Sequence, residues 1–460
     1  MFQFLSERSI TIMRHSENRI DYLNDSPAKI LFGICFPLII VNLLLILTTT
    51  LTNELYSKFV GPVAFSVTGY LSAITNTFSG IISSIVTAAW IKTAFYYSQA
   101  DLSSAEQQFV HGVTAITLLE LACALPLLLC TDLILASLSI PESIFIYTKL
   151  YYILYILCYL PVPIAALFLT IVNGTSSSQR LFWINIAVVF SNAAAAVLLL
   201  AVFRTGIIGV ALSPVLGAIM QLVMYFVLFR KDGFRFKLRK ALSQIDWKQI
   251  GHIIRYGLLI ALQSLLCTSG YLIVSFQANR ILSLEYISVL NVSLPLTGIM
   301  TAVSSACIAF CPQNYAAGKG QRLKQFFTLA TTCCVLYGLL CFVLYASLGN
   351  WYYGRLFRDQ QIISYGAEFW FWQGLGQVFL ALIFTIRYFF DAVGLGKLSL
   401  LSGVGELLGN LVSAFLLIPR FGNIGRSISY PLGWFLAVLS LSIAYLYSRK
   451  KIYGPAVKKA

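Results

Sequence analysis

Apolar residues run along this chain in blocks of about twenty, separated by short connections rich in Gly, Pro, Lys and Arg. A helix rises 1.5 Å per residue, so a block of about 20 residues crosses a hydrocarbon layer roughly 30 Å thick. Twelve blocks fit: 30–52, 60–90, 105–131, 143–170, 181–203, 207–230, 251–277, 283–311, 325–348, 364–390, 398–418 and 425–447, numbered here as spans 1 to 12. The predicted fold class is an all-α polytopic membrane protein with twelve transmembrane helices.

Internal echoes divide those helices into two six-helix, pseudo-symmetric bundles. "GIIG" at Gly206 to Gly209 returns as "GNIG" at Gly422 to Gly425, 216 residues later. Asn192 and Asn410 in the preceding spans are 218 apart, as are the "QAD" loop at Gln99 and the "AGK" loop at Ala317. Six-span repeats keep the same orientation, so an axis along the membrane normal relates them. The predicted organisation is a tail at 1–29, a first lobe at 30–230, a basic linker at 231–250, a second lobe at 251–448 and a basic tail at 449–460.

Composition agrees: 58% of residues are hydrophobic, 11% are charged and mean hydropathy is +0.82, where soluble domains carry about 25% charge. The net charge of +15 could suggest nucleic acid, but the cations lie between spans instead of forming a basic face, so no nucleic-acid partner is expected. With twelve spans, 24 of the 32 lysines and arginines fall on the side of the termini and 8 on the other. By the positive-inside rule both termini are expected in the cytoplasm. The first 29 residues carry Arg8, Arg14, Arg19 and Lys29 with no early apolar run, so a removable leader is not expected. The ten cysteines, in or beside apolar blocks, read as small reduced core residues. His15, His111 and His252 lack ligand spacing and read as solvated or interfacial, so no metal is expected.

Enzyme chemistry finds little foothold. "CPQNYAAGKGQR" at Cys311 to Arg322 offers a Gly-Lys pair, but Gln313 stands where a phosphate loop needs Gly and Gly320 where it needs Ser or Thr. It reads as the polar exit of span 8, with Gly318 permitting the turn. Polar groups at membrane depth are more informative, because they are costly in lipid and usually face a bundle interior. Asn42, Asn192, Gln263, Gln277, Asn291, Gln373, Gln377 and Asn410 are candidate cavity residues, each with helix-to-helix bonding as the alternative use. Glu406 in span 11 is a candidate cation- or proton-pairing carboxylate, with a structural bond as its alternative. For Glu120 in span 3 the structural role is favoured. Aromatic clusters such as "EFWFW" at Glu368 to Trp372 read as interfacial belts or as walls for flat or cationic organic molecules.

These residues resemble the multidrug and toxic compound extrusion (MATE) family, within the wider multidrug/oligosaccharidyl-lipid/polysaccharide flippase superfamily. "CPQNYAAGKGQRLKQF" is similar to that family's stretch after span 8, "FVGPVAFSVTG" at Phe59 to its start of span 2, and "GVGELLGNLVSAFLLIPRFGNIG" at Gly403 to its span 11. The resemblance implies an inner-membrane antiporter, acting as a monomer, that exports amphipathic, often cationic small organic compounds by alternating access. It implies no cofactor beyond a proton or sodium gradient. It also implies a hinge at Pro37 and a first-lobe cation network that includes Asn192. Where the family commonly has Asp at the end of span 1, this chain has Asn53 followed by Glu54, so Asn53, Glu54, Asn192 and Glu406 are the cation-coupling candidates. A flippase for a lipid-linked saccharide is the alternative. Its cavity would be expected to carry cations, and few lie within the spans here.

Overall fold

The computed structural model describes residues 23–98, 102–175, 178–231, 245–292, 296 and 298–453, and every regular element among them is helical. Residues 1–22 and 454–460 and most of the basic linker lie outside the described residues. Span 1 is the helix Pro27–Phe59, started by Ser26, whose Oγ accepts from the Lys29 amide at 3.3 Å, with Pro27 at the first position, where its missing N–H costs nothing. Span 2 is Pro62–Ser98 and span 3 Leu102–Leu129. Span 4 is two helices, Glu142–Cys158 and Pro161–Thr175, bent by 49° at the Pro161 junction, where proline removes a backbone donor. Span 6 is Ile207–Lys231, span 7 Trp247–Ile281, span 9 Gly320–Leu356 and span 10 Gln360–Ala392.

Eight helices among the described residues are long and apolar enough to cross a membrane, nine if the bent pair counts as one span. One of them, Gly396–Arg449, has 54 residues. At 1.5 Å per residue it would be about 80 Å long if straight. It is not straight: Gly422, at φ 53° and ψ −121°, folds it into a hairpin of spans 11 and 12. With Trp247–Ile281 and the broken span 8, the total is twelve.

Span 8 departs from the sequence expectation. The block at 283–311 is not one helix but a short turn of helix, Leu284–Val289, followed after a break by Gly298–Ala316. Tyr353 Oη and Trp370 Nε1 donate to the Val292 carbonyl at 3.2 and 2.9 Å, and Tyr337 Oη donates to Leu296 O at 2.6 Å. Side chains of spans 9 and 10 thus take over carbonyls that the break removes from the helical ladder. Pro295 falls at this break, outside the described residues.

The duplicated plan is visible in backbone detail. Span 5, Ser178–Ala196, ends in a π-helical segment, Val197–Val202, and span 11, Gly396–Val412, ends in another, Ser413–Leu417. Each is followed by a glycine with positive φ, Gly206 at 62° and its counterpart Gly422 at 53°. One large apolar core gathers Phe78, Phe109, Tyr152 and Tyr225 of the first bundle, and another gathers Phe310, Phe326, Phe389 and Trp434 of the second. The start of span 1 packs with the latter, through Ile30, Leu31 and Cys35.

Candidate functional site

Three helices of the second bundle converge on Glu406. Spans 11 and 12 lie almost backbone to backbone: a methyl on Gly405 would sit 2.7 Å from the Ala437 Cα, and one on Gly409 2.5 Å from the Gly433 Cα. That small-residue contact is the usual basis of tight helix pairing in lipid. It turns Glu406 and Asn410, one helical turn apart, toward spans 7 and 12. Glu406 is 7% exposed, and its Oε2 accepts from Tyr271 Oη at 3.3 Å. Tyr271 Oη in turn accepts from Trp434 Nε1 at 3.0 Å. The guanidinium of Arg387, on span 10, is close enough for its field to reach Glu406.

An aromatic column extends from this chain toward the start of span 12. Tyr271 and Tyr430 have ring centroids 5.0 Å apart, and Tyr430 and Trp434 5.6 Å. Arg426 is 3% exposed and lies 4.6 Å over the Tyr430 ring, with Nη1 donating to Ser429 Oγ at 2.8 Å and Nη2 to Tyr430 Oη at 3.3 Å. A buried carboxylate within span 11 and a buried guanidinium at the start of span 12, joined by aromatic rings, offer acceptors, a cation and π faces for a charged guest. Sequence reasoning singled out Glu406 but missed Tyr271, Arg426, Tyr430 and Trp434. The available signal was the spacing of four from Arg426 to Tyr430 to Trp434, which places them on one helix face.

The matching place in the first bundle is built differently. Asn192 accepts from Gln221 Nε2 at 3.0 Å, and a methyl on Gly217 would lie 2.4 Å from Asn192 Oδ1. Gly433 is the counterpart of Gly217 by the 216-residue offset, and it faces Asn410, the counterpart of Asn192. Gln221 corresponds to Ala437, which supplies no donor. Asn410 is 0% exposed, and neither its Oδ1 nor its Nδ2 has a partner among the described residues.

The remaining candidates scatter. Asn42 donates to Leu38 O at 2.8 Å and lines an apolar cavity of about 320 Å³ with Tyr345 and Trp370. Gln277 and Gln373 are half-buried, Gln377 is buried with Oε1 unpaired among the described residues, and Asn291 is exposed at the break in span 8. The side chains of Pro37 and Gln263 lie outside the described residues, although the helix of span 1 continues through position 37. Of the two expectations for His111, solvated or interfacial, the solvated one fails: it is 1% exposed and its Nε2 accepts from the Asp246 amide at 3.1 Å. Glu120 is buried, with Oε2 unpaired among the described residues.

Asn53 and Glu54 belong to a seam between the bundles. Asn53 donates to Tyr352 Oη at 3.1 Å, Ser57 to Leu356 O at 2.5 Å, and Glu54 pairs with Arg355 at 3.0 Å. Ser66 and Ser288 hydroxyls are 2.7 Å apart, Asn279 donates to Tyr70 O at 3.4 Å, and a methyl on Gly69 would lie 2.7 Å from Ile287 O. Lys319 Nζ and Arg322 Nη2 donate to the carbonyls of Leu23 and Asp25, at 2.9 and 2.6 Å, which places the span 8 exit at the end of the molecule where span 1 begins. The seam is at the opposite end, where span 1 finishes. Gly318, at φ 69°, makes the turn at that exit.

Twelve spans in two related bundles, with polar groups turned inward at membrane depth, define a multi-pass membrane protein of the transporter class. The chain belongs to the MatE family, whose sequence profile matches residues 37–198 and 260–416. Solved structures agree in fold. An inward-facing multidrug resistance MATE family transporter of the MOP superfamily superposes with TM-score 0.76 at 12% identity, covering 93% of this chain and 100% of its own. An outward-facing MATE family transporter gives TM-score 0.70 at 15% identity, covering 95% and 98%. A MOP superfamily transporter from Pyrococcus furiosus, described as having a binding pocket of reversed polarity that suggests a different function, gives 0.71 at 14%, covering 94% and 97%. A comparison with curated proteins finds no match.

Proposed function

We propose that this chain is a secondary active exporter of amphipathic, cationic organic compounds. It works by alternating access between bundles at 30–230 and 251–448, and inward movement of a proton or sodium ion drives it. It resides as a monomer in the cytoplasmic (inner) membrane with both termini in the cytoplasm. The observation that carries this reading is Glu406, a carboxylate 7% exposed in the interior of the second bundle and held by Tyr271 beside an aromatic column. Such a group is expensive at membrane depth unless it binds something. A cation exchanged for a cationic substrate at one carboxylate is the simplest antiport scheme, since each arrival displaces the other.

The seam supports the same reading, because it joins the bundles at one end through apolar packing such as Phe65 against Phe357, neutral hydrogen bonds and an exposed ion pair, contacts that carry no covalent tie. The 24-to-8 charge bias supports the orientation. Arg426 is the one observation favouring an anionic, lipid-linked substrate, and its guanidinium is already engaged by Ser429 and Tyr430.

The test is efflux of a lipophilic cation from proteoliposomes under separately imposed proton and sodium gradients. Wild-type protein is expected to respond to one gradient, and Glu406→Gln to lose at least tenfold of that response together with affinity for the lipophilic cation, while keeping the wild-type melting profile. Export indifferent to both gradients and to Glu406→Gln would overturn the coupling role.

A further inference from the structure

We propose that the groove between spans 1 and 9 binds one membrane phospholipid with a singly charged anionic headgroup. The two helices run parallel and in fixed register, since the hydrogen-bonded pairs Asn53 with Tyr352 and Ser57 with Leu356 are each 299 positions apart. Two cavities open along their contact. One, of about 680 Å³, lies at the seam and is lined by Lys58 after span 1's last polar turn, Arg355 of span 9 and Arg358 in the connection that follows. The other is the apolar cavity of about 320 Å³ described above, which Leu43 of span 1 and Leu340, Leu344 and Leu348 of span 9 help to line. From Arg355 to Leu344 is about 16 Å along the helix at 1.5 Å per residue. That is the depth of one leaflet in a hydrocarbon layer roughly 30 Å thick.

The helix faces between the two cavities suit the same occupant. On span 9, Leu340, Leu344, Leu348 and Arg355 fall on one face; on span 1, Leu43, Leu47, Leu51 and Lys58 repeat that spacing. Leu47 and Trp351 are 65% and 57% exposed at the intervening level, and an exposed tryptophan there matches the boundary between acyl chains and headgroups. Charge selects the headgroup. Three of the eight cations assigned to the side opposite the termini gather at this one pocket. Its two carboxylates are already engaged, Glu54 by Arg355 at 3.0 Å and Asp359 by the Gln361 amide at 2.7 Å. Lys58 and Arg358 are exposed and have no ion-pair partner among the described residues. Three cations against two carboxylates leave one positive charge, which a phosphodiester balances, and basic pockets beside membrane spans recognise such headgroups. Lys58 belongs to the first bundle and Arg358 to the second, so a headgroup between them adds a tie across the seam.

The experiment is thermal unfolding of the purified full chain, delipidated in detergent. It is titrated with dioleoyl phosphatidylglycerol, with dioleoyl phosphatidylcholine, and with glycerophosphoglycerol, the anionic headgroup without its chains. Native mass spectrometry of the same samples counts retained lipid. Phosphatidylglycerol is expected to raise the midpoint saturably by about 2 to 6 °C over phosphatidylcholine and to be retained at one molecule per chain, with the free headgroup matching buffer. The double variant Lys58→Gln with Arg358→Gln is expected to keep its melting profile in phosphatidylcholine and lose the preference. Leu344→Phe, which reduces the apolar cavity, is expected to weaken phosphatidylglycerol binding at least threefold. An equal shift from both lipids, a preference that persists in the double variant, or undiminished affinity in Leu344→Phe would overturn the site. So would a shift by glycerophosphoglycerol equal to that by the whole lipid, which would assign the pocket to a soluble phosphodiester. None of these outcomes bears on Glu406, so the proposed transport activity is tested separately.

Discussion

At the scale of single residues, two asparagines 218 positions apart show how a duplicated position diverges. Asn192 is bonded to Gln221, whereas the fully buried Asn410 has an amide without a partner among the described residues and an acid one turn away. Gln221→Leu should therefore strand the Asn192 oxygen and cost about 1 to 3 kcal/mol of stability, read as a fall in the unfolding midpoint with substrate export kept in proportion to folded protein. The sequence alone picks out Glu406, Asn192 and Asn410, because polar groups within apolar blocks are conspicuous. It does not separate their roles, since a hydrogen-bond partner 29 residues away on the next helix is a fact of packing. Tyr271 was illegible for a related reason. Aromatic residues are common throughout this chain, and only the convergence of spans 7, 11 and 12 distinguishes it from the rest.

At the scale of elements, the hairpin of spans 11 and 12 rests on glycine twice over. Gly422 occupies a backbone conformation closed to other residues, so Gly422→Ala should cost about 1 to 3 kcal/mol. Gly409→Val would force a side chain into the Gly433 backbone, 2.5 Å from where its first carbon would stand. A loss of about 1 to 3 kcal/mol and a matching loss of folded yield are expected for it, measured by size-exclusion chromatography after mild heating. The "GIIG" and "GNIG" echoes made these turns legible in the sequence. The break in span 8 was not legible, because an apolar block looks the same whether its helix is continuous or interrupted. What permits the interruption is hydrogen bonding from Tyr337, Tyr353 and Trp370, residues 41 or more positions further along the chain.

At the scale of the whole molecule, the seam closes one end of the interface between the bundles. Replacing Ser66 and Ser288, whose hydroxyls are 2.7 Å apart, by cysteines in a background without the native ones should allow a disulfide to form under mild oxidant. Export is expected to fall to the level of empty vesicles and to recover on reduction. Undiminished export with the bond demonstrably formed would mean that the bundles do not part at this end. The seam was half legible: Asn53 and Glu54 stood out, but as candidates for ion coupling, and their partners Tyr352 and Arg355 lie about 300 residues away.

The pairing of Asn192 with Gln221 also bears on stoichiometry. A duplicated molecule with both niches open could carry two ions per cycle, one in each half. In the proposed scheme Gln221 fills the first niche with a donor from the protein itself, so that the Glu406 niche is the one of this pair to be charged and discharged. One ion in for one singly charged compound out moves no net charge, so such an exchange follows the concentration gradient alone and ignores the membrane potential. The same cycle with an uncharged compound carries one positive charge inward and gains roughly 2.3 kcal/mol for each 100 mV.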